Sequence, residues 1–192
     1  AVLVTLDAGV AAATDLNTID GVTTGLVNAT AITSIVGVAG AVWNAMDNQA
    51  AVSTAANVAV TVTDVTVAAA TLNAINAATT GLVDASAVVT ITGSIAEATA
   101  AVVDQTAILS SPGVNVTLND VAATAAALNN LDFITAAGMI DASTVLTVTG
   151  SVADLTTAFQ SGGITFVPQA DATVTGTSTI TQLNALDATG VD

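Results

Sequence analysis

The pair Leu-Asn returns at Leu16-Asn17, Leu72-Asn73, Leu128-Asn129 and Leu183-Asn184, at intervals of 56, 56 and 55 residues. Its surroundings return with it, as DLNTID, TLNAIN, ALNNLD and QLNALD. A second landmark reads TTGLVNAT (23–30), TTGLVDAS (79–86) and AAGMIDAS (136–143). A third reads SIVG, TITG and TVTG, ending at Gly37, Gly93 and Gly150. A chain with this period stacks like units instead of wrapping one irregular core. The repeats run over 1–56, 57–113 and 114–170, with a partial unit at 171–192, and read as one solenoid domain over 1–192.

Each repeat halves again. VAVTVTD leads into VTVAAATLNAINAA over 58–78, and AVVTITG leads into SIAEATAAVV over 87–103. The Val/Ile/Thr runs alternate with period two and predict strands near Val4, Ile35, Val62, Ile91, Val116, Val148 and Val174. The Ala-rich segments carry apolar residues at helical spacing, such as Ala68, Leu72 and Ile75, or Val152, Leu155 and Phe159. Seven strand–helix coils of about 27–31 residues follow. One such coil cannot bury its own apolar face, whereas stacked coils can, with parallel strands in a sheet and helices on the other side. An α/β solenoid is the expected fold and an all-β solenoid the alternative.

The boundaries carry matching chemistry. Ser94-Ile-Ala-Glu97 and Ser151-Val-Ala-Asp154 follow strand-ending glycines and read as capping boxes, or close to them. Asp64 and Asp120 hold the corresponding place in the other half and are expected to cap the helices that follow them. Gly25, Gly81 and Gly138 follow helical segments, where a left-handed closing residue is expected.

The composition narrows the function. Ala and Val dominate a hydrophobic content of 53% and aromatics make up 2%, which suits thin regular layers better than a broad core. Fifteen acidic residues face no Lys, Arg or His, for a net charge of −15. Nucleic-acid backbones and anionic membrane surfaces are repelled by that sign. Cations are attracted, Ca²⁺ above all. Without His, Cys, Lys or Arg there is no Ser-His triad, thiolate, Schiff-base lysine or cationic phosphate clamp, so the chain is not expected to be an enzyme. A carboxylate pair for glycoside hydrolysis would want aromatic sugar platforms, and the chain has one Trp, three Phe and no Tyr. No run of about 20 apolar residues exists to span a bilayer. The absence of cysteine rules out disulfides. The sequence opens at Ala1 with no basic-then-apolar leader, as expected of a processed product or a segment of something longer.

The stretch TLNAINAATTGLVDASAVVTITGSIAEATAA resembles the acidic Asp/Ala/Thr/Val repeats of very large secreted bacterial surface and extracellular-matrix proteins. Those proteins are commonly acidic and cysteine-free. The resemblance extends over nearly the whole chain and implies a secreted, cell-surface or matrix role. It carries over no active residue. The first repeat departs most, with Val38-Ala39-Gly40 in place of the capping box and the single Trp43 just after it.

Several residue sets are candidate sites. Asp recurs at fixed phases, and weak calcium bridging is expected at Asp64, Asp84, Asp120 and Asp141, against the plainer reading of helix caps and a solvated rim. No cofactor is expected beyond such structural Ca²⁺. Asn17, Asn73, Asn129 and Asn184 sit mid-helix, where Asn is disfavoured, and are expected to bond a neighbouring coil. The T-x-T strands at Thr61, Thr90, Thr147 and Thr173 suit a half-exposed sheet, and an ice-binding ladder is the sharper alternative. Neither end looks capped. Val2, Leu3 and Val4 at one end and Leu183, Leu186 and Val191 at the other are the expected assembly faces. The expected function is a subunit of an extracellular filament, sheath or surface layer that polymerises end to end by coil stacking. Self-association and divalent cations are the expected partners. The alternatives are a passive spacer within a giant surface adhesin and an ice- or calcium-binding solenoid.

Overall fold

The computed structural model describes residues 2–168 and 170–190. Parallel strands and seven helices alternate along the described residues in a repeating α/β pattern. The first coils contain β1 (Val4–Thr5), β2 (Val10–Ala12), α1 (Ala13–Val22), β3 (Val27–Ala29), β4 (Ser34–Gly37) and α2 (Ala39–Asp47). Next come β5 (Val52–Thr54), β6 (Ala59–Val62), β7 (Thr66–Ala68), α3 (Ala69–Ala78), β8 (Val83–Ala85), β9 (Thr90–Gly93) and α4 (Ile95–Val103). The chain goes on through β10 (Ile108–Ser110), β11 (Asn115–Leu118), β12 (Ala122–Thr124), α5 (Ala125–Thr135), β13 (Ile140–Ala142) and β14 (Thr147–Gly150). It finishes with α6 (Val152–Gln160), β15 (Ile164–Phe166), β16 (Asp171–Val174) and α7 (Ile180–Asp187).

The chain divides into two compact units, Ala1–Val89 with Ala100–Ser111, and Thr90–Thr99 with Pro112–Asp192. In the first unit β1, β3 and β5 form one parallel sheet, and β2, β4, β6, β8 and β10 form another. In the second, β9, β11, β13 and β15 run side by side, as do β12, β14 and β16. Helices α1, α2 and α3 stack in the first unit, and α5, α6 and α7 in the second.

All seven expected strand centres lie in strands. Each coil nevertheless holds two or three strands where the sequence reading expected one. The missed strands are triplets such as Val27-Asn28-Ala29 and Val83-Asp84-Ala85, too short to display a period of two. Each pairs with a neighbouring coil: three lie between two partners, as Val83 lies beside Val60 on one side and Ile108 on the other, and the rest pair along one side.

The spacing of strands explains the 56-residue period. β5, β6 and β7 begin at residues 52, 59 and 66, steps of seven. A helix crossing takes 17 residues from β7 to β8 and 18 from β9 to β10, measured between strand starts. Three sevens and two crossings make 56. Pairing, however, links positions 23 to 25 apart, as in Val60 beside Val83, Ala11 beside Ile35 and Ile35 beside Val60. Two such turns fall short of 56 by about one strand step, and β7 and β12 are those additional strands.

The core is thin and regular, as the small residues required. Ile35, Ile91, Val116, Val148 and Leu72 are fully buried. Removing each from water contributes about 1.5–3 kcal/mol. The helical stripe runs one residue off the expected positions at two points. Ala69, Leu72 and Ile75 are buried in α3, and Ala68 is the exposed N-cap. In α6 the third buried residue is Ala158, while Phe159 is half-buried with its ring 4.6 Å from that of Phe166.

Gly25, Gly81 and Gly138 do not adopt the left-handed conformation. They are needed for close approach. A Cβ on Gly81 would lie 2.5 Å from the Val58 carbonyl oxygen. One on Gly25 or Gly138 would overlap the carbonyl of Val2 or Val114. At these corners one coil's backbone rests directly on the previous coil's. Among the described residues, no helix is long and apolar enough to cross a membrane.

Candidate assembly faces

Two polar clamps join coil to coil, and each follows from where a side chain sits in the repeat. Asp64 lies two residues past β6 and Asp120 two past β11. Neither caps the helix that follows it. The Asp64 carboxylate accepts the Ala39 N–H at 2.6 Å, and Asp120 accepts the Ile95 N–H at 2.7 Å. These amides open α2 and α4, the helices of the preceding coil. The sequence reading thus had the right chemistry and the wrong helix: pairing at an offset of 25 brings the carboxylate to the earlier N-terminus. A helix N-terminus offers unpaired amides and partial positive charge, and it is what a carboxylate can meet in a chain without cationic side chains.

The second clamp points the other way. The Asn17 Nδ2 donates to the Ala41 carbonyl at 2.9 Å, and the Asn129 Nδ2 to the Asp154 carbonyl at 3.0 Å. Both acceptors lie in the first turn of the next helix. The expected coil-to-coil role of these asparagines holds at both positions.

Local caps complete the frame. Ser94 and Glu97 form the expected capping box, the Ser94 N–H donating to Glu97 at 2.9 Å. The Ser151 hydroxyl takes the Asp154 N–H at 3.1 Å and donates to its carboxylate. A third recurring device escaped the sequence reading. Gln49 and Gln105, 56 residues apart, each bond the carbonyl ending a helix and the amide of a following strand residue, Thr54 or Ser110. Their surroundings, Asp47-Asn48-Gln49-Ala50 and Asp104-Gln105-Thr106-Ala107, share too little to stand out as a signal.

The four aspartates expected to bridge calcium are not brought together. Asp64 and Asp120 serve as caps, while Asp84 and Asp141 accept the Ser86 and Ser143 amides in tight turns. Among the described residues no cluster of three or more acidic groups could hold a metal ion. The T-x-T strands divide among three sheets; two of them, β14 and β16, pair, with Thr149 beside Thr173 but Thr147 beside Asp171. Along one ladder Thr92 lies beside Thr117, which lies beside Asp141, which lies beside Thr165, so a carboxylate interrupts the threonine row.

Val2, Leu3 and Val10 are 68%, 64% and 69% exposed, and Val4 is half-buried. β1 pairs with β3 and β2 with β4, and each is the outermost strand of its sheet. In α7, Ile180 is 78% and Leu183 41% exposed, although Leu16, at the same phase as Leu183, is 1% exposed. Leu186 is buried and so does not belong to the exposed face: it points inward, as Ile75 and Leu131 do at its phase. Val191 lies outside the described residues. Ile180 and Val10 are likewise exposed and were not among the expected residues, because nothing in the sequence shows which neighbours leave them uncovered. Comparison with family models, with curated proteins and with solved structures gives no match.

Proposed function

We propose that the chain is a structural subunit of an extracellular filament, sheath or surface layer, and that it assembles end to end by stacking coil on coil. The observation that carries this reading is the apolar strand edge at β1 and β2. Exposed sheet edges are ordinarily blunted by Lys, Pro, bulges or a covering element. Here Val2, Leu3 and Val10 stand in the open and no lysine exists anywhere in the chain. A face of one kind meeting a different face gives a heterologous contact, which propagates into fibres when it does not close into a ring. The composition fits the role, since it lacks the groups of most catalytic chemistry and repels nucleic acid. The acidic, cysteine-free repeat supports a secreted, surface location, and divalent cations are the partners that would ease the crowding of charge.

The test is whether the purified chain polymerises. Electron microscopy and X-ray scattering are expected to show fibres with a repeat of about 4.8 Å along the axis, the spacing of stacked strands. Val4→Asp is expected to leave the circular dichroism spectrum unchanged and to abolish fibres. A monodisperse monomer at millimolar concentration, with and without Ca²⁺, would refute the filament reading and favour a spacer.

A further inference from the structure

We infer that Gln49 and Gln105 guard two sheet edges in the middle of the chain. Each carboxamide holds the place of an added strand, along β5 or β10, and so keeps a second copy of the chain from pairing there. Closure of these edges does not depend on end-to-end assembly.

β5 ends the sheet β1-β3-β5, and β10 ends the sheet β2-β4-β6-β8-β10. Inner strands pass their amides to the next coil. The Val27 N–H, opening β3, donates to the Ala51 carbonyl at 2.8 Å, and the Val83 N–H, opening β8, to the Ala107 carbonyl at 3.0 Å. Among the described residues no further strand takes the amides of β5 and β10. The Val52 N–H turns back to the Asn48 carbonyl at 2.9 Å, and the Ile108 N–H to the Asp104 carbonyl at 3.0 Å. Two residues on, the Thr54 N–H donates to Gln49 Oε1 at 2.9 Å, and the Ser110 N–H to Gln105 Oε1 at 3.0 Å. Amides two apart in a strand point the same way. Both amides that an added strand would bond are therefore taken by the chain itself.

Further bonds fix each glutamine, although both are exposed. The Gln49 Nε2 donates to the Met46 carbonyl at 2.8 Å and to the Thr54 hydroxyl at 3.0 Å. The Gln105 Nε2 donates to the Val102 carbonyl at 2.8 Å and to the Ser110 hydroxyl at 2.7 Å. Met46 and Val102 are the penultimate residues of α2 and α4. A carboxamide suits the task, because it offers one acceptor for the strand amide and two donors for the helix end and the hydroxyl. Those bonds offset the rotamer freedom that an ordered, exposed Gln loses. Sheet edges are commonly blunted by Lys or Pro. This chain has no Lys, and neither of its two Pro lies in β5 or β10. An edge left open accepts a strand from another chain. Edge β5 of one copy meeting edge β5 of another is a like-with-like contact, which closes as a two-fold dimer with antiparallel strands.

Sedimentation velocity compares Gln49→Ala, Gln105→Ala and the double variant with the unaltered chain. Each single variant is expected to form dimers, and the double variant larger species, because it opens two edges. Association is expected at concentrations about tenfold below any shown by the unaltered chain, the factor given by about one backbone hydrogen bond left for a partner to make. Hydrogen exchange reads the guard directly. In dilute Gln49→Ala the Thr54 amide is expected to exchange about tenfold faster, by loss of that one bond, while the amides of inner strands β3 and β8 keep their rates. Asp64→Ala is the control: it removes a different bond, opens no edge, and is expected to stay monomeric where the glutamine variants associate. Single and double variants that associate no more than the unaltered chain would overturn the guard. So would equal association of Asp64→Ala, which would trace the effect to lost stability. The filament reading falls separately, on an unaltered chain that stays monomeric, and the comparison among variants still decides the guard.

Discussion

The Asp64 carboxylate accepts the Ala39 amide across 25 residues, closing α2 from the coil that follows it. Asp120 repeats the bond at Ile95. The cap is therefore a tertiary contact, and local helix stability and coil stacking rise or fall together. Asp64→Ala and Asp120→Ala are each expected to lower stability by about 1–2 kcal/mol, the upper range for an N-cap. Asn at either position keeps an accepting oxygen and is expected to recover most of it. Denaturant titration measures this, and an unchanged midpoint in both alanine variants would show that the bond contributes nothing.

Glycine is required where coils touch. Gly81→Ala and Gly138→Ala place a methyl on a backbone carbonyl that has no side-chain freedom to yield. Each is expected to cost about 1–3 kcal/mol. Gly21, exposed near the end of α1 with open space around it, gives the contrast. Gly21→Ala is expected to stabilise by about 0.5–1 kcal/mol by restricting the unfolded chain. Equal effects at Gly81 and Gly21 would contradict the close-approach account.

Acid weakens the fold through particular carboxylates. The Ser94 amide and hydroxyl hold the Glu97 carboxyl below its ordinary value of 4.5, and the Thr106 hydroxyl and amide hold Asp104 below 3.8. A folded-state value below the unfolded one favours folding at neutral pH, and that contribution is lost as pH falls through the carboxylate range. In about 0.5 M salt, where repulsion among the acids is screened, the melting temperature is expected to stay level from neutral pH and to drop below about pH 4.5. Ser94→Ala with Thr106→Ala is expected to flatten that drop. A melting temperature that climbs through this range would reverse the sign and refute the assignment.

Calcium is expected to act on the proposed assemblies more than on the single chain. Asp64, Asp84, Asp120 and Asp141 each already serve an amide, and no described cluster is built for a metal. Close packing of chains that each carry −15 nevertheless gathers like charge, which divalent ions relieve better than sodium at equal ionic strength. Chelation is expected to raise the critical concentration for fibres several-fold while moving the monomer's melting temperature little. Turbidity and calorimetry on the same sample separate the two. A large calcium-dependent rise in monomer melting would point instead to a site within the coils.

The sequence by itself determined the repeat, because like residues return at intervals of 55 or 56, and the alternation of strand and helix, the seven helices and the strand centres, because each of these rests on periodicity within some ten residues. Ser94-Ile-Ala-Glu97 was legible as a capping box for the same reason: both partners lie within one turn of chain. The tertiary structure decided what depends on the pairing offset. An offset of 23 to 25 inside a period of 56 cannot be read from composition or spacing, and it directs Asp64 to α2 rather than α3. It also decided that Val83-Asp84-Ala85 is a strand, since three residues become one when Val60 and Ile108 flank them. It showed Leu186 buried and Leu183 half-exposed on one helix. The two are equally apolar, and burial is a property of the neighbouring coil.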